Sequence, residues 1–390
     1  MKILLTLFSI LLTNISYANL LPLAASYDGV GGVAGAGYSH EFGNGHKVLV
    51  GGVGGDLTAF GGLYTLSFNQ DFELSFGTVF FDQVQLTTTY ERGLADDEDN
   101  RYLLNLKGHA YALGSKLWLL DSYLLLGFSA SQFTVEFDSV EDGGQNEINL
   151  AGANLFDIET TQIKLSVEGR FYDDPRAPKK GLGVFTSLSH ISGRTGQSDQ
   201  MLLDYGFNGV LPVSPFFTFI GKAKHSDALV EVNKKYDTDS EVRDALDADC
   251  STIADAGERS KCERLENDLV DYIVDNNNRG TALPIGGSGG PRSFRQLRFR
   301  AAHTAVYSLE AHTSLSQMFK MMNKKDTDLS LFVFHDIGYA DDDKTELFKK
   351  SVVSNGAGLK LARGTNSINL QAAKGSDDSS SWSLAFGSGI

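Results

Sequence analysis

The chain has 390 residues, a formal charge of −15 and 42 glycines against 7 prolines. That charge excludes a nucleic-acid partner, because phosphate backbones demand a basic surface. The aromatic content rests on 25 Phe and 14 Tyr, and mean hydropathy is only −0.15. The balance excludes a bundle of membrane helices but suits a barrel, in which alternate residues face lipid and lumen.

In chain order, Met1-Lys2 and the apolar run Ile3–Leu12 lead to Ser16-Tyr17-Ala18. A basic start, a short greasy stretch and a small-x-small end predict a secretory signal peptide over 1–18, with the mature chain beginning at Asn19. The apolar run is shorter than the roughly 20 residues that span a bilayer. Later on, the greasiest stretch, Leu117–Gly127, is broken by Asp121 and Ser122. An exported chain of this kind either stays in solution or crosses a membrane as strands, since only helices and closed barrels satisfy every backbone polar group in lipid.

Period-2 alternation then recurs through the chain. In Gln162–Tyr172, Gln162, Lys164, Ser166, Glu168 and Arg170 share one face, and Ile163, Leu165, Val167, Gly169 and Phe171 the other. Similar runs occupy Gly29–His40, His46–Gly54, Thr58–Phe68, Phe72–Tyr90, Arg101–Leu113 and Ser122–Phe137. They continue at Gly181–Ile191, Met201–Leu211 and Pro215–His225, and after a gap at Arg298–Leu315, Thr327–Tyr339, Ser351–Ala362, Ser367–Lys374 and Ser380–Ile390. Gly43-Asn44-Gly45 and Asn355-Gly356 read as turns beside the runs. Single-chain bacterial barrels usually close on an even number, so fourteen or sixteen strands is the reading, with about sixteen preferred. The fold class is all-β: a transmembrane antiparallel barrel over 19–390.

Between the last two groups of strands, Asp237–Asn276 turns helical and carries both cysteines, Cys250 and Cys262. In an oxidising compartment these two are expected to form a disulfide pinning a long extracellular loop over 229–297. Gly286-Gly287-Ser288-Gly289-Gly290 follows, either as a flexible linker or as backbone that approaches something closely. The acidic runs Asp96-Asp97-Glu98-Asp99 and Asp341-Asp342-Asp343 read as solvated loop tips.

The C-terminal part resembles the barrel of the BamA/TamA-type bacterial surface antigen superfamily. Gly289-Gly290-Pro291-Arg292-Ser293-Phe294 resembles that family's Arg-Gly-aromatic motif on a loop folded back into the barrel, with Ser293 in place of the Gly. Glu310-Ala311-His312 stands where the family has Glu-Leu-Arg, and Phe334-His335-Asp336-Ile337-Gly338 where it has Phe-x-Asp-x-Gly. Gly356-Ala357-Gly358-Leu359 and a closing strand follow in order, and Asp173–Gly181 resembles an upstream family turn. The resemblance implies a role in outer-membrane biogenesis, inserting or translocating protein or lipid, with outer-membrane lipid, unfolded barrel clients or a separate periplasmic protein as partners. About ten residues separate Ala18 from the first run, so the family's periplasmic client-receiving domains are not expected.

The residues also argue for themselves. Ser308, Glu310 and His312 share one face, and Ser330, Phe332, Phe334, Asp336 and Gly338 another. With both faces inward, Glu310 and Asp336 present carboxylates on the lumen wall, and Arg292 is their natural bidentate partner. Arg292, Phe294, Glu310, Asp336 and Gly338 are therefore the expected lock that fixes the loop, against the alternative of unrelated lumen charges. No catalytic, metal or cofactor site is expected: the eight His are scattered, no Gly-x-Ser-x-Gly elbow occurs, and neighbours His335 and Asp336 point to opposite faces of a strand. A passive pore or structural surface protein is the alternative function, and an integral hydrolase a distant third.

Overall fold

Sixteen antiparallel strands, each paired with its sequence neighbours, form one barrel that closes where the last strand meets the first. The computed structural model describes residues 20–27, 31–42, 45–55, 58–69, 71–94, 101–142, 146–149, 158–173, 179–193, 198–231, 236–295, 297–318, 327–363, 366–377 and 379–388. The signal peptide, Asp96–Asp99 and most of the Asp173–Gly181 turn lie outside the described residues.

The first half comprises β1 (Leu20–Tyr27), β2 (Gly31–Phe42), β3 (His46–Gly55), β4 (Thr58–Ser67), β5 (Phe72–Thr89), β6 (Arg101–Leu119), β7 (Leu124–Glu141) and β8 (Ile158–Tyr172). The second comprises β9 (Gly181–Gly193), β10 (Gln200–Ser214), β11 (Phe217–Val230), β12 (His303–Ser314), β13 (Thr327–Asp341), β14 (Val352–Arg363), β15 (Asn366–Gly375) and β16 (Ser380–Ser388). The even count matches the preferred reading. The strand that periodicity did not isolate is β1, which pairs with β2 along its whole length.

The alternation sorts side chains as lipid and lumen require. On β8, Leu165 (56% exposed) and Phe171 point outward, as do Leu309 on β12 and Val333 on β13. The opposite faces bury Ser187, Ser189, Asp204 and Asp336 inside the barrel. One end has tight turns, such as Leu120–Tyr123, where Leu120, Asp121 and Ser122 all take positive φ. Asp121 and Ser122 are the residues that interrupt the greasiest stretch of the sequence. The other end carries the longest connections, those between β7 and β8 and between β11 and β12.

Three expected boundaries move. Asn355-Gly356 lies inside β14 rather than at a turn, because Gly356 makes room for a ring described below. Pro215 falls in the turn before β11. Arg298–Arg300 is not strand: Phe299 is buried among Ile285, Phe294, Ala301 and Ala340, and bridges Ile285 within the loop. A buried aromatic anchored by its own loop outweighs a local alternating pattern.

The connection between β11 and β12 holds two helices, α1 (Asp239–Leu246) and α2 (Ala256–Arg279). The Asp255 carboxylate caps α2 by accepting the N–H groups of Gly257 and Glu258, and Gly280, at φ 74°, ends it. Val242 and Leu246 of α1 pack on Val270 of α2, and the Cys250–Cys262 disulfide joins α2 to the preceding turn. Leu265 inserts among Tyr102, Leu104, Leu106, Val135, Val140 and Ile148, so α2 lies across the mouth against β6 and β7. Tyr102 donates to Asp268 at 2.5 Å, and Lys261 pairs with Asp142 at 3.0 Å. The insertion thus roofs the long-loop end.

Replacing Cys250 and Cys262 with serine will loosen this roof and leave the barrel intact. The twelve-residue separation corresponds to a constraint of about 3 kcal/mol on the unfolded chain. Limited proteolysis should show faster cleavage within 239–279 with an unchanged strand signal in circular dichroism.

Candidate functional site

Strand register builds the site. Asn208, Lys222, Ser308, Asp336 and Ser354 are cross-strand neighbours on β10 to β14 and form one row on the lumen wall. The next row of the same face carries Ile220, Glu310, Phe334 and Gly356. Because side chains alternate, His335 points outward to Asn355 while Asp336 is 1% exposed.

From the roof, residues 281–302 dip back into the barrel. The descent is tied to β11 and β12: the Leu283 N–H donates to Ser226, and Thr304 donates to the Leu283 carbonyl. At its tip, Arg292 meets Asp336 in a two-pronged pair, Nε to Oδ2 and Nη2 to Oδ1, both 2.8 Å. Nη1 reaches Glu310 Oε1 at 2.9 Å, and Nη2 donates to Ser308 at 3.1 Å. The guanidinium also lies over the Phe334 ring, 3.6 Å from its centroid. Glu310 is held from its other side by His312, 2.7 Å away. The structure therefore brings Arg292, Glu310 and Asp336 together.

Phe294 and Gly338 act by packing. Phe294 is buried against Phe299, with ring centroids 4.9 Å apart, and fixes the loop rather than touching the charges. A Cβ on Gly338 would come within 2.7 Å of the Pro291 ring, so only glycine leaves space for the residue before Arg292. Glycines on β14 do the same for the floor: Gly356 and Gly358 sit beneath the rings of Phe334 and Phe332. Ser293, in the position of the resemblance's glycine, is buried without positive φ, and its N–H donates to Ser354 at 2.9 Å. The Arg292 carbonyl accepts from Ser381 at 2.6 Å, and Arg292 Nη1 lies 3.4 Å from Gln371. The tip thus contacts β12, β13, β14, β15 and β16.

Ser354, Gln371 and Ser381 were not singled out from sequence. Serine and glutamine on a strand carry no signal until register places them opposite a loop. The same holds for a second clasp at the roof. Arg92 grips Asp342 with Nε and Nη2, at 2.9 and 2.6 Å, and donates to the Gly280 carbonyl at 2.6 Å. Asp342, read as a solvated loop tip, also accepts from the Ala302 N–H at 2.8 Å and lies 3.2 Å from Arg279. It ties three loops together. Burial works against its charged form, but the bonds and charges of Arg92, with Ala302 and Arg279, hold the carboxyl below its ordinary range.

Beside the Arg292 tip the lumen holds a cavity of about 480 Å³. Its lining includes Asn208, Lys222, Lys224, Lys360, Asn369 and Gln371, besides the lock residues themselves.

No protein-family model matches this sequence, and no curated protein does. Solved structures do share its shape. BamA from Haemophilus ducreyi lacking POTRA domains 1-3 superposes with a TM-score of 0.54 at 12% identity, over 95% of this chain and 70% of that one. CdiB from Escherichia coli gives 0.56 at 10% identity, over 95% and 63%. CdiB from Acinetobacter baumannii gives 0.52 at 11%, over 94% and 58%. The barrel has the BamA and CdiB fold. This is the architecture the motifs implied, and at such identities the likeness carries architecture alone. The chain spans less than two thirds of either CdiB.

Arg292→Ala strands two carboxylates inside the barrel and is expected to cost about 3–5 kcal/mol. Heat-modifiable gel migration should show the folded band converting at lower temperature, and the 281–302 loop should become cleavable. Arg292→Lys should recover only part of the loss, since an ammonium cannot make the two-pronged pair.

At the roof, a carboxyl whose folded value is depressed contributes stability above its unfolded value, near 4, and loses it as pH falls through the folded value. Acidification below about pH 4 should therefore expose the loops around Arg92 and Ala302 to an acid-active protease. Asp342→Asn should remove most of that pH dependence.

Proposed function

We propose that this chain is an outer-membrane barrel of Gram-negative bacteria that inserts or translocates other proteins, using the junction of its first and last strands. The observation carrying this reading is the weakness of that junction. β1 pairs with β2, and β16 with β15, along their lengths, but among the described residues β1 meets β16 at one register position, Ser26 opposite Leu384. A strand ladder is held by its backbone bonds, so the line with fewest is where the wall opens first. An opened edge is a template on which a client strand can pair.

The Arg292 lock supports the same reading. It fastens the loop to β12–β16, keeping that side of the junction rigid while β1 is left to move. The passive-pore alternative is disfavoured by the loop in the lumen and the helical roof over the mouth. The signal peptide over 1–18, extracellular placement of the α1–α2 roof, and reliance on a separate periplasmic protein or on unfolded barrel clients belong to this proposal. It assigns the site no catalytic chemistry.

The test is a disulfide across the junction. Ser26→Cys with Leu384→Cys, oxidised in place, should abolish assembly of a reporter barrel in reconstituted vesicles, and reduction should restore it. Full activity in the cross-linked protein would sink the proposal, as would steady wide conductance from the unmodified barrel.

A further inference from the structure

We propose that the lumen cavity beside the Arg292 loop binds a phosphate-bearing anion through Lys222, Lys224 and Lys360. The argument starts from charge. The protein as a whole is strongly acidic, at −15. Yet this cavity is lined by four basic side chains, Lys222, Lys224, Arg292 and Lys360, against two carboxylates, Glu310 and Asp336. Both carboxylates are already engaged, Asp336 by the two-pronged Arg292 pair and Glu310 by Arg292 and His312. Lys164, on the neighbouring wall, has Asp204 at 3.7 Å. Lys222, Lys224 and Lys360 have no ion-pair partner among the described residues.

Three ammonium groups facing one cavity repel one another, and the barrel wall around them is a poor dielectric that focuses their field. The site is also equipped for recognition. Asn208 and Lys222 are cross-strand neighbours, and Asn369 lies opposite Lys360. Lys222 and Lys360 therefore each stand beside an amide that can donate to an anionic oxygen, while Lys224 is flanked by Gly206 and Val306. Gly289 and Gly290 cover the site from the loop, leaving backbone rather than bulk above it. About 480 Å³ is room for a di- or triphosphate-sized group. The lining extends to Ser383 on β16, so the anion has two routes in: from solution along the lumen, or as a lipid headgroup at the junction with β1.

The test uses the full chain in an uncharged detergent, with inorganic pyrophosphate as the probe and sodium chloride at matched ionic strength as the control. Calorimetric titration should show saturable binding, and pyrophosphate should raise the unfolding temperature by about 4 °C or more at saturation. Lys222→Gln with Lys360→Gln should weaken binding by at least about ten-fold, while the arginine pair at the same positions should retain it. If the double glutamine variant does not fold, as judged by heat-modifiable migration, the two single variants carry the comparison. Reconstitution in phosphatidylcholine or phosphatidylglycerol vesicles separates the sources. Pyrophosphate binding suppressed in phosphatidylglycerol points to a lipid phosphate, and equal binding in both points to a soluble one. An absence of binding beyond the chloride control overturns the proposal, as does equal binding by the folded glutamine variants.

Discussion

The C-terminal half of this barrel is organised around one guanidinium held inside the lumen. Arg292 is largely withdrawn from water and could not remain there unpaired. Asp336 and Glu310 answer its charge, Ser308 takes a further donor, and the Phe334 ring supports its face. Each partner sits on a different row or strand, so the loop settles only when β12 and β13 are in register. A one-residue slip would turn both carboxylates into lipid. The lock therefore reports on the register of the wall as much as it fixes the loop.

Small residues do the complementary work. Gly338 admits Pro291, and Gly356 and Gly358 seat the two phenylalanine rings that floor the site. Charge alone would attract the loop without fixing its depth; the glycines set how deep it lies. At the roof, Arg92 and Asp342 repeat the scheme with different loops, and α2 seals the mouth by burying Leu265 against β6 and β7. Loop, roof and wall are thus joined at two levels, and the β1–β16 junction is left as the thinly bonded line.

The lumen is also divided by character. Val79, Ala110, Ala112 and Phe133 line the β5–β7 side, whereas the β10–β14 side carries Asp204, Lys222, Lys224, Asp336 and Lys360. Alternation predicts a polar interior throughout, so the apolar stretch is a departure, met in part by the helical roof that packs on the upper end of the same wall. The insertion and the loop beyond it thus follow the chemistry of the two sides: α2 buries Leu265 on the apolar wall, and Arg292 meets the carboxylates of the polar one.

Much of this was legible in the residues. Period-2 alternation determined the barrel, because lipid outside and polar groups inside leave no other pattern for a strand. The meeting of Arg292 with Glu310 and Asp336 was legible too, since an arginine on a glycine-rich loop and two inward carboxylates on successive strands have few other partners. What sequence could not supply was anything set by register or closure. β1 lacked a distinctive alternation and is defined by β2 and β16. Asn355-Gly356 looked like a turn until Phe334 was placed above it, and Asp342 looked solvated until two arginines from distant loops closed on it. The order of side chains along one strand is written locally. Which of them meet across the barrel depends on how all sixteen strands align, and only the closed tertiary structure decides that.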